Sequence, residues 1–487
     1  MALLFNPQNH ISQSNPEKPY INFLRRTSAF AQSSHVQNLQ THVEKLAPDH
    51  KLVVVGGSKL SGHVNISGSK NSALAVLAGT LCCSGTSKLH NMPNLSDTRT
   101  MVSILRSLGV RVQVSNGEMT VDTDGLCSLE PCSDAVGKIR AGLFVLGPLL
   151  TRFGEAVVAL PGGCDIGARP VDLYIRGLRA LGAIIELRNG KVHACAVNGG
   201  KLVGGRFHLD YPSVGATETL MMAASMADGM TVLTNVAQEP EVVDLAHFLI
   251  RSGAHVEGAG SGKLVINGRN QLHGPEFTIM PDRIEAGTFM VAAAITRSHI
   301  SISPVIPLHL LCLVDKLSAA GCKIMQSTPN TLEVSALPAK IGGDLQGFDV
   351  KTGPFPKFPT DMQPQIMSLL TTCKGLSIVE ESVFESRMKH VRELQKLGAK
   401  IHLYGNNALI HGKEQGSDLS GSQVVATDLR SGASLVLAGM AAEGITVIDG
   451  VTHIDRGYEN LEMKLRCLGA DIRRHPFSIV TGTGGTI

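Results

Sequence analysis

The sequence predicts an α/β protein assembled from six copies of one helix–strand–helix–strand unit. Two observations carry this. The pattern Leu-x-x-x-Gly-x-x-(Val or Ile) occurs six times, at Leu105-Gly109-Val112, Leu178-Gly182-Ile185, Leu249-Gly253-Val256, Leu317-Gly321-Ile324, Leu394-Gly398-Ile401 and Leu465-Gly469-Ile472, with its glycines 73, 71, 68, 77 and 71 residues apart. A second strand stands about 25 residues ahead of each of these glycines. A fixed period of this kind determines the architecture.

Each part of the unit has a local cause. The Leu lies one helical turn before the Gly, and a Gly just past the last apolar residue ends a helix because it accepts the left-handed backbone. The β-branched residue three places on opens a strand, as in VRVQV (110–114) and AKIHL (399–403). The preceding strands are KLHNM, AVVAL, TVLTN, ISISP, LSIVE and ITVID. Apolar helical stretches come before them, among them ALAVLAGTL (73–81) and FMVAAAI (289–295). Six units divide as three plus three near residue 280, where IMPDRIEAGT interrupts the pattern; KLVVVGG and VNISG precede the first helix and fit either half.

The totals set bounds. A chain of 487 residues is long enough for two domains, and 43% hydrophobic content fits a globular protein. A net charge of +3, no Trp and 4% aromatics give no reason to expect a nucleic-acid partner. No stretch approaches the roughly 20 apolar residues that cross a bilayer, so no membrane partner is expected. The ten cysteines are scattered without metal-type spacing, which points to a reducing compartment. Residues 1–50 show no repeat; they are rich in Ser, Asn, Gln and His and carry Lys18, Arg25 and Arg26 against Glu17 in their first 35 residues. They are expected to be a disordered leader, read as an organelle transit peptide, with the plastid stroma ahead of the cytoplasm as destination.

Four segments break the repeat with residues that a packed element would not choose. In ISGSKNSALAV, Lys70 and Asn71 stand directly ahead of an apolar helix, read either as an anion site of backbone N–H groups and an ammonium or as a solvated helix start with an ordinary surface Lys. LPGGCDIGARPVDLY (160–174) is an irregular glycine-rich loop holding one thiol, Cys164, and one guanidinium, Arg169, a setting that favours a reactive cysteine. In KTGPFPKFPTDMQPQ (351–365), Asp361 sits where a helix begins, read either as its N-cap (Thr360 or Asp361) or as a general base. Arg140, Arg387, Arg430 and Arg456 each lie near an expected helix start, where a positive charge opposes the dipole and suits phosphate or carboxylate binding.

With SGSKNSALAV, PGGCDIGARPVDL, SVGATET, QEPEVVD, PDRIEAGTF, FPTDMQPQ, ATDLRSGASLVLAG and HIDRGYE in hand, the chain from about Lys51 onward resembles the UDP-N-acetylglucosamine 1-carboxyvinyltransferase family, enolpyruvyl transferases of the EPSP synthase-like superfamily. The resemblance implies two inside-out α/β barrel domains of three repeats each, with the ligand cleft between them. The first would span 70–280, the second 51–69 plus 281–487. It implies transfer of the enolpyruvyl group of phosphoenolpyruvate to the 3′-hydroxyl of UDP-N-acetylglucosamine, with no metal or organic cofactor. Lys70, Asn71, Arg169, Arg430 and Arg456 would hold phosphoenolpyruvate, with Asp428 assisting near the phosphate. Arg140, Arg169, Pro170, Val171, Asp172, Leu173, Tyr211, Pro212, Ser213, Val214, Asp361 and Val383 would contact the UDP-sugar. Cys164 would donate a proton and be the target of fosfomycin, Asp361 would take the proton of the sugar hydroxyl, and Lys70 and Arg456 would complete the catalytic set. One position departs from the family pattern: Tyr211 stands where some relatives carry Lys, which puts a cation near the nucleotide phosphates in doubt.

Overall fold

The computed structural model describes residues 50–167, 169–336, 344–413 and 419–476. All but the last residue of the expected leader lies outside the described residues. The described residues belong to one compact unit that holds two separate hydrophobic cores. One is built from residues between Ala73 and Ile279. The other joins Leu52–Ile66 to residues between Ile284 and Ile472.

At the centre of each core lie helices that are apolar on every side. All 13 residues of helix Arg283–Ile295 are buried, and in helix Lys70–Gly79 every residue but Asn71 is. Such helices belong inside, because they have no polar face to offer water. Helices Val214–Ala224, Gln363–Leu370 and Leu429–Ala441 share this character. Helices such as Ser96–Ser107 and Pro240–Arg251 instead expose charged residues on one side.

All six repeat glycines (Gly109, Gly182, Gly253, Gly321, Gly398 and Gly469) have φ between 84° and 110°, the left-handed region the pattern requires at those helix ends. The first five units, however, hold one strand more than the sequence pattern shows. In the first, strand Arg111–Ser115 turns through Asn116-Gly117, both at positive φ, into strand Glu118–Asp122. That third strand inserts between its two predecessors, giving the order Glu276–Thr278, Thr86–His90, Glu118–Asp122, Arg111–Ser115. The pair Asn189-Gly190 makes the same turn in the second unit. Asn-Gly suits such a hairpin because both residues tolerate positive φ.

A short parallel strand completes five of the six main sheets, and two of these come from distant chain. Glu276–Thr278 follows the third unit yet pairs with Thr86–His90 of the first. His63–Asn65 precedes all units yet pairs with His299–Ser303 of the fourth. In the sixth unit, His50–Val55 lies between Ile445–Asp449 and Ile472–Pro476, the place a third strand takes elsewhere.

The chain passes between the two cores twice, and the crossings are bonded to each other. Ser69 N–H donates to the Met280 carbonyl (2.7 Å), and Asp282 N–H to the Ser67 carbonyl (2.9 Å). The buried Asp282 carboxylate then caps two helices at once. Oδ1 accepts the N–H groups of Ile284 (2.8 Å) and Glu285 (2.9 Å), and Oδ2 accepts that of Lys70 (3.0 Å). Among the described residues no helix is long and apolar enough to cross a membrane.

A side chain that caps two helices should cost more to remove than one that caps a single helix. Asp282→Ala is expected to lower unfolding free energy by about 2–3 kcal/mol and Ser213→Ala by about 1 kcal/mol, read from guanidinium denaturation.

Candidate active site

The helix starts place most of the sequence-predicted residues. Lys70 is the first residue of its helix and is buried; its ammonium lies 3.5 Å from Asp97 Oδ2. The other oxygen of Asp97 accepts Arg456 Nε at 2.9 Å. Arg456 Nη1 in turn donates to Cys164 Sγ at 3.1 Å. One carboxylate thus joins two cations, one of which touches the thiol. Burial works against the charge of Arg456, but Asp97 and then Cys164 outweigh it and hold its pKa above the ordinary value.

The loop carrying Cys164 is fixed at both ends. Arg169 Nη2 donates to the Cys164 carbonyl at 2.6 Å, while Arg140 Nη2 donates to the carbonyls of Arg169 and, at 3.3 Å, Pro170. A Cβ at Gly163 would press on both Arg169 and the Arg140 backbone, and its φ of 111° is costly for any other residue. Burial, then the neighbouring Arg140, lowers the pKa of Arg169, so its site favours an incoming anion. Across from the loop, Lys389 pairs with Asp165 and Ser386 N–H donates to the Ile166 carbonyl at 3.2 Å. Cys164 itself packs against the second core.

Asp361 lies in the turn Thr360–Met362 ahead of helix Gln363–Leu370. Neither Thr360 nor Asp361 caps that helix; the capping expectation gives way because both side chains are engaged elsewhere. Arg387 Nη2 reaches Asp361 Oδ1 at 2.8 Å, and Arg430 reaches Oδ2 at 2.9 Å through Nη2 and 3.3 Å through Nε. Arg430 is 1% exposed and its guanidinium lies 5.3 Å from the centre of the Tyr458 ring. Burial opposes ionisation of Asp361, but Arg430, then Arg387 and Lys70, outweigh it and hold the carboxyl well below the usual carboxylate range. Arg387 Nε and Arg430 Nη1 are buried with no hydrogen-bond partner among the described residues. Donors left in that state suit a second carboxylate.

Other expected residues take supporting places. Asn71 follows Lys70, half-buried. Asp428 caps helix Leu429–Ala441 through the N–H groups of Arg430 (2.9 Å) and Ser431 (3.1 Å), so its charge is spent on the backbone. Ser213 caps helix Val214–Ala224, and Tyr211, 46% exposed, precedes it with Pro212. Asp172 and Leu173 open helix Asp172–Ala180 after Val171. Val383 donates its N–H to Glu381 at 2.9 Å. Arg456 follows the short helix Val451–Ile454 and does not start one, contrary to the sequence reading.

One functional side chain of this set was not singled out from the sequence. Asp97 looks like an ordinary acid in the first turn of helix Ser96–Ser107, and its partners stand 27 and 359 residues away. Arg387 stands in the sequence among four arginines suited to phosphate or carboxylate binding, and the resemblance gives it no specific role. A cavity of about 230 Å³ lined by Lys59, Arg297 and Lys413 lies at the opposite ends of the second-core helices, beside Ile295, Thr371 and Ala441. Its Arg297 and Lys59 donate to helix-end carbonyls, which accounts for their charge.

The chain is similar in sequence and fold to known proteins. The EPSP synthase (3-phosphoshikimate 1-carboxyvinyltransferase) family profile matches residues 54–465. A UDP-N-acetylglucosamine 1-carboxyvinyltransferase of Gloeobacter violaceus is 52% identical over 428 residues, 88% of this chain and 91% of the relative. One from Prochlorococcus marinus is 50% identical over 426 residues, 87% and 96% of the two chains. Among solved structures, the enolpyruvyl transferase NikO from Streptomyces tendae superposes with a TM-score of 0.79 at 27% identity, over 88% of this chain and 100% of that one. An EPSP synthase from Acinetobacter baumannii shares the fold at TM-score 0.66 and 18% identity, over 88% of this chain and 100% of that one. The chain belongs to the EPSP synthase family and has its two-domain α/β fold.

Because the folded-state pKa of Asp361 is depressed, its ionised form stabilises the fold at every pH above the unfolded value near 3.9, and that stabilisation is lost as pH falls below it. The stability gap between wild type and Asp361→Asn, about 3 kcal/mol, should be constant from pH 8 to about pH 5 and narrow below about pH 4, by urea denaturation.

Proposed function

We propose that this member of the EPSP synthase family transfers the enolpyruvyl group of phosphoenolpyruvate to the 3′-hydroxyl of UDP-N-acetylglucosamine and releases phosphate, the first committed step in making peptidoglycan precursors. The relatives at about half identity carry that activity in their name. The observation that supports it most directly is that a loop thiol on Arg456 and a carboxylate held between two buried arginines are linked through Lys70, which pairs with Asp97 beside Arg456 and acts on Asp361.

In this reading the sugar oxygen adds to C2 of phosphoenolpyruvate as Asp361 takes its proton, and Cys164 delivers a proton to C3. Loss of a proton from C3 then expels phosphate from C2 and leaves the enol ether. Lys70, Arg169 and Arg456 neutralise the phosphate, with Asn71 beside them. Arg387 and Arg430 receive the substrate carboxylate. That carboxylate competes with Asp361 for the same guanidiniums, and as they turn to it the Asp361 pKa rises toward the range in which it accepts a proton. Positioned acid–base groups contribute on the order of 10²–10⁴-fold each, and fixed cations at the phosphate at least as much. Arg140, the stretch Arg169 to Leu173, the stretch Tyr211 to Val214, and Val383 hold the UDP-sugar. The backbone N–H groups around the Ser213 helix start supply donors for the nucleotide phosphates whether or not Tyr211 replaces a cation.

The two cores support a division into one domain of residues 70–280 and another of 51–69 plus 281–487. Contacts such as Cys164 with Arg456 and Asp165 with Lys389 support a cleft between them that shuts through the cysteine loop. Residues 1–50 are proposed as a plastid transit peptide, supported by their composition. A reporter fused to them should enter plastids, and its retention in the cytosol would refute that destination.

Phosphate release from phosphoenolpyruvate is the test. Protein lacking residues 1–50 should release phosphate with UDP-N-acetylglucosamine and not with shikimate 3-phosphate, and Asp361→Ala should lose about 10²-fold or more. Release with shikimate 3-phosphate alone would transfer the assignment to that acceptor. A thiol-directed epoxide of the fosfomycin type should label Cys164, faster with UDP-sugar present, and leave Cys164→Ser unlabelled.

A further inference from the structure

Glu381 follows strand Leu376–Glu380 and is 2% exposed. Among the described residues no cation pairs with it. Its charge is met by four donors instead. Oε1 accepts the Thr352 hydroxyl (2.8 Å) and the N–H groups of Val383 (2.9 Å) and Phe384 (3.2 Å); Oε2 accepts the Thr360 hydroxyl at 2.8 Å. Ser382 N–H donates to Thr352 Oγ1 at 2.9 Å, which turns that hydroxyl's proton toward Glu381. The backbone is pinned as well: Glu381 N–H donates to the Asn406 carbonyl (2.9 Å), and Asn406 Nδ2 donates to the Glu381 carbonyl (3.0 Å).

Burying a carboxylate is costly unless every lone pair finds a donor. An ionised carboxylate only accepts, so it matches a cradle made only of donors, whereas an amide would set an NH₂ group against one of them. Packing alone gives no reason for such a group in this place. What it joins does. Thr360 precedes Asp361, and Val383 and Phe384 open the segment that carries Arg387 and Lys389, one on Asp361 and the other on the cysteine loop. The two sides of the Asp361–Arg387 contact therefore hang from the two oxygens of one carboxylate.

We propose that Glu381 is a positioning residue for the transfer reaction: through Thr360 on one side and the amides of Val383 and Phe384 on the other, it sets where Asp361 stands relative to Arg387 and to the acceptor hydroxyl. This rests on the reaction assigned above. Glu381 touches no reacting atom, so its loss acts mainly on turnover, with a smaller change in KM because Val383 and Arg387, which it also positions, meet the UDP-sugar and the substrate carboxylate. A misplacement below 1 Å in such a site costs on the order of tenfold.

The test compares wild type, Glu381→Gln, Thr360→Val, the double variant and Thr360→Ser by steady-state phosphate release and by amide hydrogen exchange at Val383 and Phe384. Glu381→Gln and Thr360→Val should each lower kcat about tenfold with KM for both substrates changed less than about threefold. The double variant should be no slower than the slower single one, since both remove the same link. Thr360→Ser, which keeps the hydroxyl, should recover most of the rate. Exchange at the two amides should rise in Glu381→Gln. If Glu381→Gln does not fold, the Thr360 pair carries the comparison. Faster exchange with unchanged kcat, unchanged exchange, or multiplying losses in the double variant would each overturn the proposal. Silence of the wild type with UDP-N-acetylglucosamine would instead remove the assigned reaction, and this inference with it, and is told apart because wild type fails before any variant is compared.

Discussion

The helices at the centre of each core are buried on every side, and this constraint shapes the rest of the molecule. A helix with no exposed face can be polar only at its ends. Its first N–H groups need acceptors and its last carbonyls need donors, with partial charges of opposite sign at the two ends. At the starts the acceptors are Ser69, Ser213, Asp282 and Asp428. At the far ends the donors include Arg152, which reaches the Cys83 carbonyl just past helix Lys70–Gly79, and Arg297, which reaches the Ala294 and Ile295 carbonyls in the last turn of helix Arg283–Ile295. The sheets and outer helices wrap this arrangement, and the loops at the helix starts are where chemistry is free to develop.

Those starts already favour anions, and the chain adds cations to them. Lys70 and Arg430 stand in the first turns of their helices, where a positive charge is unfavourable. Each is met by a carboxylate from a distant element, Asp97 for Lys70 and Arg456, Asp361 for Arg430 and Arg387. A buried ion pair offsets little more than its own desolvation, so such sets are weak evidence of a role in stability. They make better sense as a balanced field in which an incoming phosphate and carboxylate exchange with the protein's own acids. Perturbed groups gathered in one place are the usual mark of such a site.

Much of this was legible from residue order. The six Leu-x-x-x-Gly patterns marked helix ends because only glycine sits easily at the φ values those positions take, and the Asn-Gly pairs at 116–117 and 189–190 mark hairpins for the same reason. The closing strands were not legible. Strands Arg206–His208, Glu276–Thr278 and Gln423–Val425 are three residues long, too short for an alternating pattern, and their partners are set by the ring of units rather than by local preference. In the site, Cys164, Lys70 and the arginines stood out because glycine-rich loops and helix starts are unusual places for them. Asp97 and Glu381 did not, because an acid in a first helical turn or after a strand has an ordinary local explanation. Only their partners, brought together by the fold, distinguish them. For Asp361 the local explanation, a helix cap, was the wrong one, since two arginines hold both its oxygens.

The central claim is that Asp361 and the substrate carboxylate compete for Arg387 and Arg430. Calorimetric titration of phosphoenolpyruvate into wild type and Asp361→Asn, both saturated with UDP-N-acetylglucosamine and read before turnover in the wild type, tests it most directly. Neutralising Asp361 should abolish transfer yet bind phosphoenolpyruvate several-fold more tightly, because the competing charge is gone. Unchanged or weaker binding in Asp361→Asn would contradict the account.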